Sequence, residues 1–285
     1  MSRAVAVGEA VELTTPLAPS PGERRRRFMY VVWTAASATF RRRYAGTFLG
    51  YAWMVLQPLL LFAVLYAVFT QVIRFGGAVP HYASMLLINI VFFYFFREAG
   101  ATSMRSFVAR KGIINSVRIP PLAMPFASVL AAGFVFGANL VVALVWALAS
   151  DVPLQLGWLA LPILVGYMVV VTTAIGVLLA CTYVRVRDVA QVWRPMVRLL
   201  FYVSGTIFPF SMIPSELFRT LAAVNPLSPL FVQIRVWIID SSAPQWPESA
   251  GSTLATILPF LSLVLICAAA AIAYRVTRKA IAESL

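Results

Sequence analysis

Long apolar runs, separated by short arginine-rich segments, dominate the pattern of this chain. The stretch RRRYAGTFLGYAWMVLQP, residues 41–58, places three arginines directly before the first run. A helix of about 20 apolar residues matches the roughly 30 Å hydrocarbon core of a bilayer. The pattern therefore predicts an all-α integral membrane protein.

Six of these runs have the length expected of membrane spans. They cover residues 51–73, 83–104, 122–149, 156–183, 195–213 and 253–274. Gly205 and Pro209 interrupt the fifth run, and both residue types break helices. Two amphipathic pieces of about ten residues follow it within 215–239, and each is too short to cross. We expect two short extracytoplasmic helices there, or a re-entrant hairpin.

An amphipathic helix is predicted before the first span, over residues 28–40. Arginines flank this segment at 24–27 and 41–43, which is typical of helices that lie at an anionic membrane surface. A helix that only anchors the chain also fits this pattern. The residues predicted to share its apolar face are Met29, Trp33, Ala36 and Phe40.

The first 25 residues contain three prolines and lack a secretory apolar region. We therefore expect a flexible cytoplasmic tail over 1–25, followed by a single membrane domain over 26–285.

Cys181 and Cys267 both lie in apolar runs without a CxxC pattern, which predicts structural thiols.

Basic residues predict the orientation. Twenty of the 23 arginines and lysines fall on one side of the predicted spans, and Arg74, Arg219 and Arg235 fall on the other. Because basic loops stay in the cytoplasm, we expect a multi-pass protein of the plasma (inner) membrane with both termini cytoplasmic. The net charge of +13 is spread over these loops, so we expect no nucleic-acid partner.

Composition supports transport more than catalysis. The chain is 61% hydrophobic and 12% charged, with a mean hydropathy of +0.87 and one histidine, His81. No nucleophile–base pair or metal-ligand cluster is evident, and Glu98, beside Arg97, is the sole acidic residue within a predicted span. Ion-coupled carriers usually need intramembrane carboxylates. Glu98 and Arg97 fit either a buried polar patch or a role in gating.

No Gly-Lys dipeptide occurs in the chain, so the phosphate-binding loop GxxxxGK[ST] is absent. We therefore expect a non-catalytic permease subunit that binds no metal or cofactor. If ATP powers transport, a separate ATPase subunit must hold the ATP and Mg²⁺.

Two basic loops are candidates for contact with such a subunit, namely RSFVARKGIINSVRIPP at 105–121 and VRVRDVAQVWRP at 184–195. Ordinary flanking charge is the alternative for both loops.

Aromatic rings are the remaining clue, because residues 92–96 read FFYFF. Such rings can stack on sugars, although packing or lipid-facing aromatics fit equally well.

Taken in order, these motifs resemble those of the permease subunit of type-2 ABC exporters for cell-envelope polysaccharides, the O-antigen, teichoic-acid and galactan export family. The stretch 41–58 is joined by VFTQVIRFG, RKGIINSVRIPPLAMP, VRVRDVAQV, SGTIFPFSMIP and NPLSPLFVQIRVWI. The resemblance covers roughly residues 28–280. A related permease for drugs or lipids is the alternative.

The resemblance implies a homodimer of permeases with two ABC ATPase subunits. It also implies export of a lipid-linked glycan through a channel between the two copies. The implied channel residues are Tyr51, Phe92, Phe93, Tyr94, Phe95, Phe96, Phe201 and Tyr202. The residues implied to couple to the ATPase are Arg41, Arg42, Arg43, Arg110, Lys111, Ile113, Ile114, Arg118, Arg187 and Asp188.

Overall fold

The computed structural model describes residues 20–44, 50–74, 79–109 and 120–284, and every regular element within these ranges is helical. The α-helices are α1 Pro21–Tyr44, α2 Ala52–Ala67, α3 Tyr82–Met104, α4 Ser106–Ala109, α5 Ala123–Ala149, α6 Leu161–Arg185, α7 Val189–Val203, α8 Glu216–Ala223, α9 Ser228–Ile234, α10 Trp246–Ala250 and α11 Thr253–Ser284. Turns of π-helix continue α2 over Val68–Val72 and α9 over Arg235–Ile239, and 3₁₀ turns cover Leu156–Ala160 and Phe210–Met212.

Five stretches are long and apolar enough to cross a membrane. They are Ala52–Val72, Tyr82–Met104, Ala123–Ala149, Leu156–Arg185 and Thr253–Arg278. Helix α8 and the α9 segment meet at a bend of 98°, and the number of spans is six only if this pair counts as one. The expectation of an all-helical, multi-pass membrane protein is confirmed, whereas the count of six is not.

The fifth predicted span, 195–213, differs most from the structure. Helix α7 begins six residues earlier, includes Pro195 in its interior, and ends at Val203. Gly205 then adopts a left-handed φ of 78°, a conformation that glycine reaches without a steric penalty. With 15 residues, α7 is about 22 Å long, which is shorter than the hydrocarbon core.

Helix α1 is longer than the predicted 28–40 because its start carries a capping box. The Ser20 Oγ accepts a hydrogen bond from the Glu23 amide at 3.3 Å, and the Glu23 carboxylate accepts one from the Ser20 amide at 2.8 Å. Pro21 at the first helical position fits the same motif. The predicted tail over 1–25 therefore overlaps α1 at its end, and residues 1–19 lie outside the described residues.

The buried stripe of α1 is shifted from the predicted face. Val32 and Ala36 are buried, whereas Met29 and Trp33 are 59% and 58% exposed. The Trp33 ring nevertheless packs edge-on against Phe134 of α5, with the ring centroids 5.4 Å apart. Helix α1 therefore packs along α5 and leaves large apolar side chains on its outer flank.

Helix α3 is the centre of the molecule. In its most apolar 18-residue stretch 78% of the residues are buried within the chain, against 11% in the Ala52–Val72 stretch. Helices α5 and α6 pack against α3, and α11 packs against α6. A Cβ atom on Gly176 of α6 would lie 2.9 Å from the Ser103 Cβ, so α3 and α6 approach closely where glycine permits it.

The segment between α7 and α11 is broken into short helices, and side chains satisfy several of its backbone carbonyls. The Tyr167 hydroxyl donates to the Pro226 carbonyl at 2.7 Å, and the Trp158 indole donates to that of Ile238 at 3.0 Å. Within the segment, the Arg219 guanidinium donates to the Ile213 carbonyl at 2.6 Å. Irregular backbone at membrane depth requires such internal partners.

Gly100 provides a test of the contact between α3 and α7. A Cβ atom there would lie 2.6 Å from the Trp193 ring, and Trp193 is buried. We expect Gly100→Ala to displace α7 and to lower the free energy of unfolding by about 1–3 kcal/mol, measured as a lower Tm in detergent. In Gly166→Ala, where nothing lies within 4 Å of the added Cβ, the Tm should not fall. Equal Tm values for the two variants would contradict this packing.

Candidate functional site

An aromatic groove lies where α2, α3 and α7 meet. Its volume is about 230 Å³. Aromatic side chains form much of its wall, and two arginines, Arg97 and Arg198, are part of its lining. The lining residues of the aromatic groove are Leu61, Ile90, Phe93, Tyr94, Arg97, Val197, Arg198, Phe201 and Tyr202.

Contacts among the rings fix the shape of the aromatic groove. Phe93 meets Phe201 edge to face, with the centroids 4.9 Å apart, and Phe201 meets Tyr202 in the same way at 5.5 Å. The Arg97 guanidinium lies 4.4 Å above the Tyr94 ring, a favourable cation–π distance. The Tyr94 hydroxyl donates to the Gln57 side chain of α2. The aromatic groove therefore presents ring faces and positive charge together.

The structure separates the predicted channel residues into three groups. Phe93, Tyr94, Phe201 and Tyr202 line the aromatic groove, and Tyr202 is 57% exposed. Their role in transport stays a prediction. The sequence singled out residues 92–96 as a continuous run but did not show which of its rings share a side with Phe201 and Tyr202.

Phe92, Phe95 and Phe96 do not line the aromatic groove and pack in the core, to which the groove-lining Phe93 also belongs. Their role in a channel stays a prediction. Each is at most 2% exposed. Phe92 and Phe95 pack against Phe136 with centroids 4.9 Å away, and Phe96 packs against Trp193 at 5.7 Å. Because α3 is buried on several sides, a run of five aromatics on it cannot all face a channel.

Tyr51 also lies outside the aromatic groove. Its ring stacks on Phe40 of α1, with centroids 5.6 Å apart, and it is 49% exposed. Tyr51 therefore joins α1 to the start of α2, and its implied channel role stays a prediction.

A second cavity of about 590 Å³ lies where α1, α3, α4 and α7 converge. Four arginines and one acidic residue line it. We call it the arginine cleft, and its charged lining residues are Arg42, Arg43, Glu98, Arg105 and Arg194. This cleft has an excess of positive charge that attracts anionic groups.

An ion pair joins α1 to α3 across the arginine cleft. Arg43 donates to the Glu98 carboxylate, and the two side chains are 42% and 15% exposed. Arg97 and Glu98 are neighbours in sequence, yet Arg97 lines the aromatic groove and Glu98 lines the arginine cleft. One turn of α3 thus borders both cavities. The adjacency of Arg97 and Glu98 in the sequence did not show that their side chains line different cavities.

The predicted coupling residues fall into three locations. Arg41, Arg42 and Arg43 lie in the last turn of α1. Arg187 and Asp188 are exposed in the link between α6 and α7, and within the described part of the chain their side chains have no hydrogen bond or ion pair. Arg110, Lys111, Ile113, Ile114 and Arg118 lie outside the described residues.

Sequence reasoning missed two residues that shape these cavities. Gln57 holds Tyr94 from α2, and Trp193 packs on Gly100 while lining the arginine cleft. The sequence contained a signal for each residue. Gln57 is a polar side chain within the first apolar run, and Trp193 is a tryptophan within the basic loop 184–195.

The helices and cavities define a multi-pass helical membrane protein with a charged cleft and an adjoining aromatic groove. The chain belongs to the ABC-2 type transporter family, which it matches over residues 30–239. The resemblance to type-2 ABC exporter permeases is thus confirmed at the level of the family.

Relatives of this chain include two named O-antigen export system permease proteins. It is 26% identical to RfbA of Klebsiella pneumoniae over 194 residues, which cover 68% of this chain and 74% of that protein. It is 26% identical to RfbA of Myxococcus xanthus over 246 residues, which cover 86% and 91% of the two chains.

Exchange of the charges of the Arg43–Glu98 pair tests its geometry. We expect Glu98→Arg to lower the Tm, because it adds a cation to the four arginines of the cleft. Arg43→Glu should restore the Tm in the double variant. Because Arg43 is 42% exposed, the coupling energy should be only about 0.2–1 kcal/mol, obtained from a double-mutant cycle.

Arg41 supplies the matched control, because it lies on the same turn of α1 and does not line the cleft. Arg41→Glu combined with Glu98→Arg should leave the Tm low. If Arg43→Glu and Arg41→Glu both restore the Tm of Glu98→Arg, the net charge of this region sets the stability, and the Arg43–Glu98 pair does not.

Proposed function

We propose that this chain is the transmembrane permease of an exporter that moves a lipid-linked polysaccharide of the O-antigen, teichoic-acid or galactan type across the plasma membrane. The observation that carries the proposal is the aromatic groove beside the arginine cleft, in a member of the ABC-2 family. The relatives named O-antigen export permeases support the substrate class.

The two cavities suit the two chemical parts of such a substrate. Sugars stack on aromatic faces. Among the groove rings, Phe201 and Tyr202 keep accessible surface for such stacking, whereas Phe93 and Tyr94 are buried within the chain. A lipid-linked glycan also carries phosphate, which guanidinium groups bind well. The arginine cleft has such groups at Arg42, Arg105 and Arg194. In this proposal the substrate phosphate passes the cleft while the glycan follows the groove.

The chain works as a homodimer in this proposal, and a second copy covers the aromatic groove. Helix α2 buries only 11% of its most apolar stretch within the chain, and α7 exposes Val192, Met196, Leu199 and Tyr202. These exposed faces flank the groove. A second copy laid against them would turn an open groove into an enclosed conduit.

Two ABC ATPase subunits supply the energy, and they carry the ATP and Mg²⁺. Arg187 and Asp188 are exposed directly before α7, and the last turn of α1 carries Arg41, Arg42 and Arg43. Arg42 and Arg43 line the arginine cleft, as does Ala190, two residues after Asp188, so in this proposal motion of an ATPase bound there reaches both cavities. Both chain termini are cytoplasmic in this arrangement.

Loss of the gene should cause a lipid-linked glycan to accumulate on the cytoplasmic side, detected by extraction and sugar analysis. Phe201→Ala and Tyr202→Ala should restore export less well than the unaltered protein. Loss of a stacked ring costs about 0.5–1.5 kcal/mol, which corresponds to roughly two- to tenfold in rate. Phe218→Ala, which removes an exposed ring of α8 outside the groove, should export normally.

The proposal fails if the gene loss leaves cell-envelope glycans and their lipid-linked precursors unchanged. Accumulation of a drug or a simple lipid instead would identify a different class of cargo for the same fold. Normal export by both groove variants would show that the aromatic groove is not the pathway.

Substitutions at Arg187 and Asp188 test the coupling. We expect Arg187→Ala and Asp188→Ala to insert normally, and to lose export and the stimulation of the partner ATPase by this chain. The purified chain alone should hydrolyse no ATP. Glu216→Ala, an exposed acidic residue at the start of α8, is the control. Unchanged export by both coupling variants would remove these residues from the ATPase interface.

A further inference from the structure

A third groove, formed by different helices, lies on the membrane-facing surface between the start of α5, the middle of α6 and the last part of α11. Its volume is about 640 Å³. We call it the lipid groove, and its lining residues are Leu122, Phe126, Val169, Val170, Thr173, Ala174, Val177, Cys267, Ala270, Ala271, Tyr274, Arg275 and Arg278. The proposed transport function makes no use of it.

The lipid groove is apolar along its length and positively charged at one end. Ala174, Ala270 and Ala271 lie in its middle, where short side chains create the concavity. Arg275 and Arg278 lie at the end of the groove that coincides with the end of the apolar stretch Thr253–Arg278. Its lining includes no acidic residue, so neither guanidinium is neutralised from within the groove.

The length of the lipid groove matches one leaflet of a bilayer. From Cys267 to Arg278, α11 rises about 16 Å. Half of the hydrocarbon core is about 15 Å thick. An acyl chain that starts at the arginines would therefore end near Cys267, at the middle of the membrane.

We propose that the lipid groove is a binding site for an anionic phospholipid of the cytoplasmic leaflet. One acyl chain lies along Val170, Ala174 and Ala271, and the phosphate of the headgroup binds Arg275 and Arg278. Basic pockets between membrane helices on the cytoplasmic side favour such headgroups. The bound lipid would fill the space between α6 and α11 and stabilise the packing of the last helix.

Native mass spectrometry of the full chain, purified in mild detergent with equal amounts of phosphatidylglycerol and phosphatidylcholine, tests this site. We expect the unaltered protein to retain phosphatidylglycerol preferentially. Arg275→Gln with Arg278→Gln should weaken its retention roughly tenfold or more. Both arginines are exposed, so this variant should fold.

Two matched controls separate the site from general effects. Arg185→Gln with Arg187→Gln removes the same charge from two exposed positions, the last residue of α6 and the link that follows it, and neither lines the groove. This variant should retain phosphatidylglycerol. Ala271→Phe fills the groove without changing charge and should reduce retention. Ala268→Phe, an exposed position of α11 outside the groove, should not.

The proposal is overturned if the Arg275/Arg278 variant retains phosphatidylglycerol normally, or if the Arg185/Arg187 variant loses it equally. Equal retention of phosphatidylcholine by the unaltered protein would show that charge plays no part. If Ala271→Phe separates a dimer and leaves lipid retention unchanged, a second copy of the chain covers the groove and no phospholipid occupies it.

Discussion

The hydrocarbon core of a bilayer offers no hydrogen-bond partner to the polypeptide backbone, and the rest of this structure depends on that constraint. Five long helices meet it through their own hydrogen bonds. The chain from 204 to 252 does not form one long helix. In this segment side chains donate hydrogen bonds to several of the backbone carbonyls. The Asn89 amide donates to the Thr206 carbonyl at 3.1 Å, just after α7 ends, and the Ser228 hydroxyl donates to that of Ala222 at 3.0 Å. The short helices therefore stay bent without leaving these carbonyls unpaired.

The same constraint explains which elements the sequence could predict. Four of the predicted spans agree with observed helices to within a few residues, because an apolar run of about 20 residues has few other stable structures in lipid. The last span extends further as a helix, to Ser284, since its polar end can continue as a helix outside the bilayer. The arrangement of the rings could not be predicted, because FFYFF has no period. All five rings are buried, and only their packing against Phe136, Trp193 and Phe201 decides which of them also borders the aromatic groove.

Helix α7 shows why the fifth span was misplaced. The residues before 195 contain Arg187, Asp188 and Arg194, and so many charges predicted a cytoplasmic loop. In the structure Arg194 lines the arginine cleft and Arg198 lines the aromatic groove. A helix that lies between two cavities can carry charge along its length, because the charged groups need not enter lipid. Amphipathicity, rather than mean hydropathy, was the informative property of this segment.

The position of α7 also gives the proposed mechanism a physical basis. Trp193 forms part of the arginine cleft, whereas Val197, Phe201 and Tyr202 form part of the aromatic groove. Arg187 and Asp188 lie just before its first residue, and Gly205 lies just after its last, in a backbone conformation that few other residues tolerate. A rigid helix displaced at its start must move both walls together, because close packing transmits displacement instead of absorbing it. An ATPase that acts at Arg187 and Asp188 would therefore change the cleft and the groove in one step.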